Sequence, residues 1–242
     1  MIGLVLAAGA GRRLLPHTAS LPKTLVPIAD GVTILDVILG NLAAVGLTDI
    51  AVVVGHAADA IRVRVPDLEK AHGVRLELID NDRIGWNNAY SLWLARDAFA
   101  GGALLVNGDT VHPAAVEKTL LAQRGAAVLL ALDTLRELTD EAMKVRLDAG
   151  DTVVRITKQM PVTEADGEYI GAAVLEAAAA DELAACLADT WRRDPQRYYE
   201  DGFQLLADRT GGVRAARLGA VDWVEVDDPA DLSRAREIQC RS

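Results

Sequence analysis

The sequence predicts an α/β fold: a Rossmann-like, mostly parallel sheet flanked by helices, with a smaller mixed-sheet region in the second half. Three observations carry this. Short apolar runs of strand length alternate with helical patterns through the first half. Hydrophobic residues make up 51% of the 242, enough for a substantial core. After residue 140 the alternation gives way to a hairpin-like pattern and further strands.

"IGLVLA" (2–7) reads as a buried strand. "TILDVILGNLAAVG" (33–46) reads as a helix with Thr33 as N-cap and Gly46 at its end. "IAVVVG" (50–55) and "VRLELI" (74–79) are the next strands. "NAYSLWLARDAF" (88–99) has helical apolar spacing, and "ALLVNGD" (103–109) is a fourth strand. A helix near 113–124 and a strand over "AAVLLAL" (126–132) follow. Such βαβα order implies parallel strands with helices on both faces, and ligands gather at the carboxyl ends of those strands. "KVRLDAGDTVVRITK" reads as a hairpin turning at Ala149-Gly150-Asp151, and "GEYIGAAVLEA" as another strand. Helices near 180–193 and 201–209 lead to strands "GVRAARL" and "DWVEVD", then a last helix after Pro229. One domain over 1–242 is expected.

The net charge of −10 argues against nucleic-acid or acidic-membrane partners, which select a basic face. It leaves room for small anions, which need only a local cluster of positive charge. No stretch is long enough to span a bilayer, and the apolar N-terminus lacks the basic region of a signal peptide. Cys186 and Cys240 fit no metal spacing and read as reduced thiols, which points to a cytoplasmic location. His17, His56, His72 and His112 likewise show no metal or catalytic spacing.

The densest signal is "LVLAAGAGRRLLPHTASLPKTLVPI" (4–28). A strand runs into a glycine-rich loop, and Arg12, Arg13 and Lys23 add positive charge to an acidic chain. A phosphate chain is the natural occupant. The loop is neither the G-x-G-x-x-G dinucleotide loop nor a P-loop, and Pro16 and Pro22 exclude a long helix after it. It resembles the sugar-nucleotidyltransferase family, whose motif L-A-A-G-x-G-x-R-[LMF] followed by P-K stands here as "LAAGAGRRL" and "LPKTL". The resemblance implies that Leu6, Ala7, Ala8, Gly9, Gly11 and Arg12 hold the nucleotide. It implies that Arg13 contacts the triphosphate and that Lys23 is the essential lysine.

"LLVNGDT" puts Asp109 at the carboxyl end of a strand, where a hard carboxylate suits Mg²⁺. The resemblance implies that Asp109 is one metal ligand and that Asp227, in "DWVEVDDPADL", is the other. Asp228, before Pro229, reads as a helix cap. "NDRIGWNNAYSLWLARDAF" resembles the CTP-using branch of the family, which activates phosphocholine and related small phosphate or phosphonate esters. On that resemblance Asn88 and Ser91 stand near the nucleotide. Lys144 and Lys158 of the hairpin point at the acceptor phosphate, and "GEYIGAAVL" closes the acceptor pocket with Glu168 and Gly171. "YYEDGFQLL" adds an aromatic and acidic cluster, Tyr198, Tyr199, Glu200 and Asp201, for the acceptor head group.

Residues 1–135 are then mainly nucleotide-binding, and 136–242 bind the acceptor and supply the second metal ligand. The expected reaction is transfer of CMP from CTP to a small phosphate or phosphonate, with Mg²⁺ and release of pyrophosphate. A homodimer is compatible with this reading. One alternative is a sugar-1-phosphate nucleotidyltransferase using UTP, GTP or dTTP. Another is a non-catalytic nucleotide-binding regulatory module, against which stand Lys23, Asp109 and Asp227, all present. Aromatic residues are only 4% of the chain. Trp93, Phe99 and Phe203 read as core, leaving Tyr169, Trp191, Tyr198, Tyr199 and Trp223 as walls for a choline cage. So few rings favour a polar or amine-bearing acceptor over choline phosphate.

Overall fold

A computed structural model describes residues 1–241. Strand β1 (Ile2–Ala7) sends Val5 and Ala7 to one side and Leu4 to the other, so it must lie inside a sheet covered on both faces. A hairpin of β2 (Pro27–Ala29) and β3 (Val32–Thr33) leads to helix α1 (Ile34–Ala44). Thr33 caps α1 in a capping box with Asp36, as the sequence predicts. Strand β4 (Asp49–Val54), helix α2 (Ala58–His72) and strand β5 (Arg75–Asp80) follow. Next come α3 (Asn88–Leu94), α4 (Arg96–Phe99), β6 (Ala103–Asn107), β7 (Thr110–Val111), α5 (Ala115–Gln123) and β8 (Val128–Asp133). The remainder comprises β9 (Lys144–Leu147), β10 (Val153–Thr157), β11 (Gly167–Leu175), α6 (Ala180–Arg193), α7 (Tyr199–Thr210), β12 (Val213–Arg217), β13 (Val224–Glu225) and α8 (Pro229–Arg241).

The main sheet runs β5-β4-β1-β6 in parallel, then antiparallel β11, with the β9–β10 hairpin beyond it. β8 joins β11, and β12 lies parallel to β8. Strands from either side of residue 135 thus share one sheet. One face packs on α1, α2, α5 and α8 through Leu35, Ile61, Leu120 and Leu232. The other packs on α3, α4, α6 and α7 through Leu92, Phe99, Leu187 and Phe203.

Three local features depart from the expected elements. α2 has no counterpart among them, because Pro66 sits inside it; buried Ile61 and Leu68 hold the helix to the sheet around that proline. The helix expected over 88–99 is two, α3 and α4, divided at Ala95. The strand expected over 103–109 ends at Asn107, with the Gly108 amide making the last rung of the β1–β6 ladder by donating to Leu6 O at 3.0 Å. Among the described residues no helix is long and apolar enough to cross a membrane. Cys186 is buried and Cys240 exposed, and neither is in a disulfide.

Candidate active site

The carboxyl ends of β1 and β6 open onto a cleft of about 260 Å³. Gly108 is the pivot of its floor. A Cβ at that position would meet Leu6 O at 2.5 Å and Thr24 Cγ2 at 2.6 Å, so only glycine lets the end of β6 lie this close to β1. Past that turn, β7 pairs antiparallel with β13, Val111 against Val224 and Thr110 against Glu225. The Val226 amide donates to Asp109 O at 2.8 Å. This short ribbon brings Asp109 and Asp227 to the same rim. Asp228 accepts from the amides of Ala230 and Asp231 and caps α8, as its place before Pro229 predicts.

The loop after β1 is held by Gly11, which adopts a left-handed conformation (φ 55°). Its carbonyl accepts from Thr18 Oγ1 at 2.7 Å and from the Leu14 amide at 2.9 Å, while Leu14 is buried. Arg13 is thereby turned towards the rim, where its Nη2 lies 2.6 Å from Asp227 Oδ2. Lys23 opens a short 3-10 turn after Pro22, anchored by buried Leu25 and Val26. Its Nζ donates to Asp109 Oδ2 at 2.8 Å and to Asp227 Oδ1 at 2.6 Å. Burial acts to lower the Lys23 pKa, but Asp109 and Asp227 together outweigh it and hold the ammonium above its ordinary value. Burial likewise pushes the Asp227 carboxyl up, and Lys23 and Arg13 reverse this and hold it below the usual range.

Glu225 completes the acidic wall. Ligand oxygens of Asp109, Glu225 and Asp227 all lie within 4.8 Å of one another. Glu225 remains solvent-exposed, yet the surrounding protein and then the charges of Asp109 and Asp227 raise its carboxyl to about 7. An all-oxygen donor set of this kind fits a hard divalent cation such as Mg²⁺.

The opposite wall comes from α3 and from the start of α7. Asn87 caps α3, and its Nδ2 donates to Gln196 O at 3.0 Å. Asn88 Oδ1 accepts from the Tyr199 amide at 2.8 Å, and Ser91 Oγ accepts from Asn81 Nδ2 at 2.9 Å. Fourteen of the expected site residues line the cleft: Leu6, Ala7, Ala8, Gly9, Arg13, Lys23, Asn88, Ser91, Asp109, Lys158, Gly171, Tyr198, Glu200 and Asp227.

Six do not line it, among them Asp201, whose Oδ2 instead accepts from the Tyr198 amide at 3.0 Å at the start of α7. Gly11 shapes the loop from beneath, and Arg12 is exposed outside the cleft. Lys144 is only 1% exposed, and its Nζ donates to the carbonyls of Asp140 (2.7 Å), Thr139 and Ala142 (both 3.3 Å). With those donors engaged, it pins the approach to β9 instead of facing an acceptor. Glu168 lies beside Arg136 and Asp133, its carboxyl raised first by burial. Tyr199 is fully buried, with its hydroxyl 2.8 Å from Asn107 Oδ1 and 3.1 Å from Tyr169 OH. Of the suggested cage walls, Trp191 packs with Trp86, Tyr90 and Trp93, and Trp223 donates to Asp133 beneath Arg136. Only Tyr169 and Tyr198 line the cleft.

Thr24, Asn87, Asn107 and Glu225 line the cleft without having been singled out in the sequence. For Glu225 the signal was present: in "WVEVD" it stands two residues before Asp227, on the same side of an extended chain.

Comparison with known proteins agrees with this geometry. The chain is 33% identical over 242 residues to the CMP-5'-(3-aminopropyl)phosphonate synthase of Streptomyces rubellomurinus, covering 96% of this chain and 38% of that protein. It is 27% identical to the bifunctional IPC transferase and DIPP synthase of Aquifex aeolicus, covering 97% of this chain and 50% of that one. The chain therefore spans half or less of the length of these two curated relatives. The inositol-1-phosphate CTP transferase from T. maritima superposes with a TM-score of 0.85 at 22% identity, over 99% of this chain and 94% of that one, and so shares the fold. The profile described as nucleotidyl transferase matches residues 2–133, and the chain belongs to that family.

Proposed function

We propose that this chain transfers CMP from CTP to a small phosphate or phosphonate acceptor and releases pyrophosphate. The observation that carries the reading is the Lys23 ammonium held between Asp109 and Asp227 at the mouth of the β1 loop. The relatives support the choice of base, because the names of the Streptomyces and T. maritima proteins specify CMP or CTP.

The acceptor oxyanion attacks the α-phosphorus of CTP, and the bond to the β-phosphate oxygen breaks. The nucleophile is already an anion near neutral pH, so no general base is needed. The obstacle is repulsion between two anions, which positioning and charge neutralisation overcome. Asp109 and Asp227, with Glu225 beside them, would hold Mg²⁺, which when bound neutralises phosphate oxygens. Lys23 and Arg13 supply fixed positive charge to the triphosphate. Ala7, Ala8 and Gly9 let the backbone approach the nucleoside, and Asn88 and Ser91 flank it from α3. Lys158, past the end of β10, meets the acceptor phosphate.

Pyrophosphate release, measured with Mg²⁺ across CTP, UTP, GTP and dTTP and a panel of small phosphates, phosphonates and sugar 1-phosphates, tests the reading. CTP with a small phosphate or phosphonate is expected to give the highest kcat/KM. Preference for another nucleotide with a sugar 1-phosphate would overturn it.

A further inference from the structure

Tyr199 is fully buried, yet its polar groups hold two carboxamides of the cleft wall from behind. Its amide donates to Asn88 Oδ1 and its hydroxyl to Asn107 Oδ1, both at 2.8 Å. Burial raises the hydroxyl well above its ordinary pKa, so it keeps the proton it donates. Each carboxamide oxygen is thus occupied, and each Nδ2 must turn elsewhere. Asn88 and Asn107 are half-buried and line the cleft, and neither Nδ2 has an acceptor among the described residues. Beside Asn107 stands Gly171, also in the cleft lining, in a left-handed conformation (φ 81°) where β11 shifts register. A Cβ there would come within 2.7 Å of Asn107 Nδ2, so the glycine leaves that donor its room.

We propose that Asn107 donates a hydrogen bond from Nδ2 to an anionic oxygen of a bound substrate, and that Tyr199 is the positioning residue that fixes the amide for this task. The inference rests on the proposed cytidylyl transfer and adds these two residues to it. The sense of the amide decides the outcome. With Nδ2 towards the cleft, a phosphate or phosphonate oxygen meets a donor; with the amide reversed, it meets a lone pair. The Tyr199 hydroxyl selects the first arrangement. Packing alone asks for no hydroxyl: Phe203, whose ring centroid lies 5.1 Å from that of Tyr199, fills the same core without one. The oxygen served belongs to the nucleotide or to the acceptor, and the two sources separate in the measurement below.

The test is a double-mutant cycle in the full chain: parent, Asn107→Ala, Tyr199→Phe and the pair. Pyrophosphate release is followed with CTP, Mg²⁺ and either phosphocholine or 2-aminoethylphosphonate, and calorimetry gives the affinity for CTP and for each acceptor. Loss of a hydrogen bond to a charged oxygen predicts a fall of about ten- to a hundredfold in kcat/KM for Asn107→Ala. Tyr199→Phe, which frees the amide to reverse, is expected to lose about three- to tenfold, and to lose nothing further once Asn107 is alanine. Weaker CTP binding in Asn107→Ala assigns the oxygen to the nucleotide. A raised acceptor KM with CTP affinity intact assigns it to the acceptor. Asn107→Ala within threefold of the parent in rate and affinities would overturn the inference, as would a Tyr199→Phe loss that persists in full in the double variant. If Asn107→Ala does not fold, Asn107→Asp keeps the shape and the Tyr199 hydrogen bond and should lose at least as much. If neither acceptor elicits pyrophosphate while the variants still weaken CTP or acceptor binding, the transfer reading fails and the Asn107 donor stands. If the parent transfers CMP and the variants match it, the transfer reading stands and the donor fails.

Discussion

With its ammonium 2.8 Å from Asp109 and 2.6 Å from Asp227, Lys23 keeps two carboxylates from facing each other unscreened. Lys23→Met removes that cation, and turnover is expected to fall on the order of a hundredfold, as loss of one fixed transition-state charge contact does. Stability in chelator should fall too, by less than the about 3–5 kcal/mol of a fully buried broken pair, because both carboxylates remain partly solvated. Thermal midpoints with and without Mg²⁺ check this: the variant should gain more from the ion than the parent. Glu200 has the opposite economy. Burial raises its carboxyl to about 8 and Glu225 adds to the rise, while its own backbone amide and then Lys158 oppose it. Between the ordinary value of 4.5 and about 8 the folded chain keeps a proton that the unfolded chain has lost, so this group's contribution destabilises increasingly as pH rises through that window. Glu200→Gln should therefore gain in melting temperature relative to the parent from pH 4.5 to pH 8, an offset absent if the carboxyl titrates normally. At this scale the sequence revealed the residues fixed by a motif, Arg13, Lys23, Asp109 and Asp227. It could not show that Lys144 spends its donors on three local carbonyls, or that the Tyr199 ring turns inwards, because both depend on packing across β8, β9 and α7.

The elements that carry these residues are short, and their placement depends on close contacts. Gly108→Ala would press a methyl group onto Leu6 O and Thr24. Overpacking of this kind costs about 1–3 kcal/mol. Because Asp109 is the next residue, kcat should fall along with stability, and a urea titration beside a rate measurement checks both. Thr33→Ala, which removes the α1 cap outside the cleft lining, should cost about 1 kcal/mol and leave the rate unchanged. The central strands, α1 and the Asp228 cap of α8 were legible because apolar period and capping chemistry are local signals. α2 was not, since Pro66 argues locally against a helix that tertiary packing nevertheless holds. The β7–β13 ribbon is two residues per strand, too short for any periodicity to announce.

Across the whole molecule, the cleft sets the cations Arg13, Lys23 and Lys158 beside the carboxyl groups of Asp109, Glu200, Glu225 and Asp227, within a chain whose net charge is −10. Nucleotide binding should thus depend on divalent cation and should stabilise the fold by mass action. At a hundred times Kd, CTP with Mg²⁺ should raise Tm by about 5–11 °C for a chain of this size. The same concentration of CTP in chelator should give a much smaller shift, and equal shifts would argue against the acidic wall as a metal site. The parallel half of the sheet was readable from alternation alone. The branch in which β11 serves β6, β8 and β9 at once was not, because one strand shared by three partners leaves no mark on its own sequence.

Lys23 meets Asp109 across 86 residues of chain and Asp227 across 204. Closing loops of that length is entropically costly and comes late when a polypeptide collapses. Secondary structure can therefore return on dilution from denaturant before the three charges have met. Stopped-flow ellipticity should recover ahead of catalytic competence, and the lag between the two would time the last stitch in the topology.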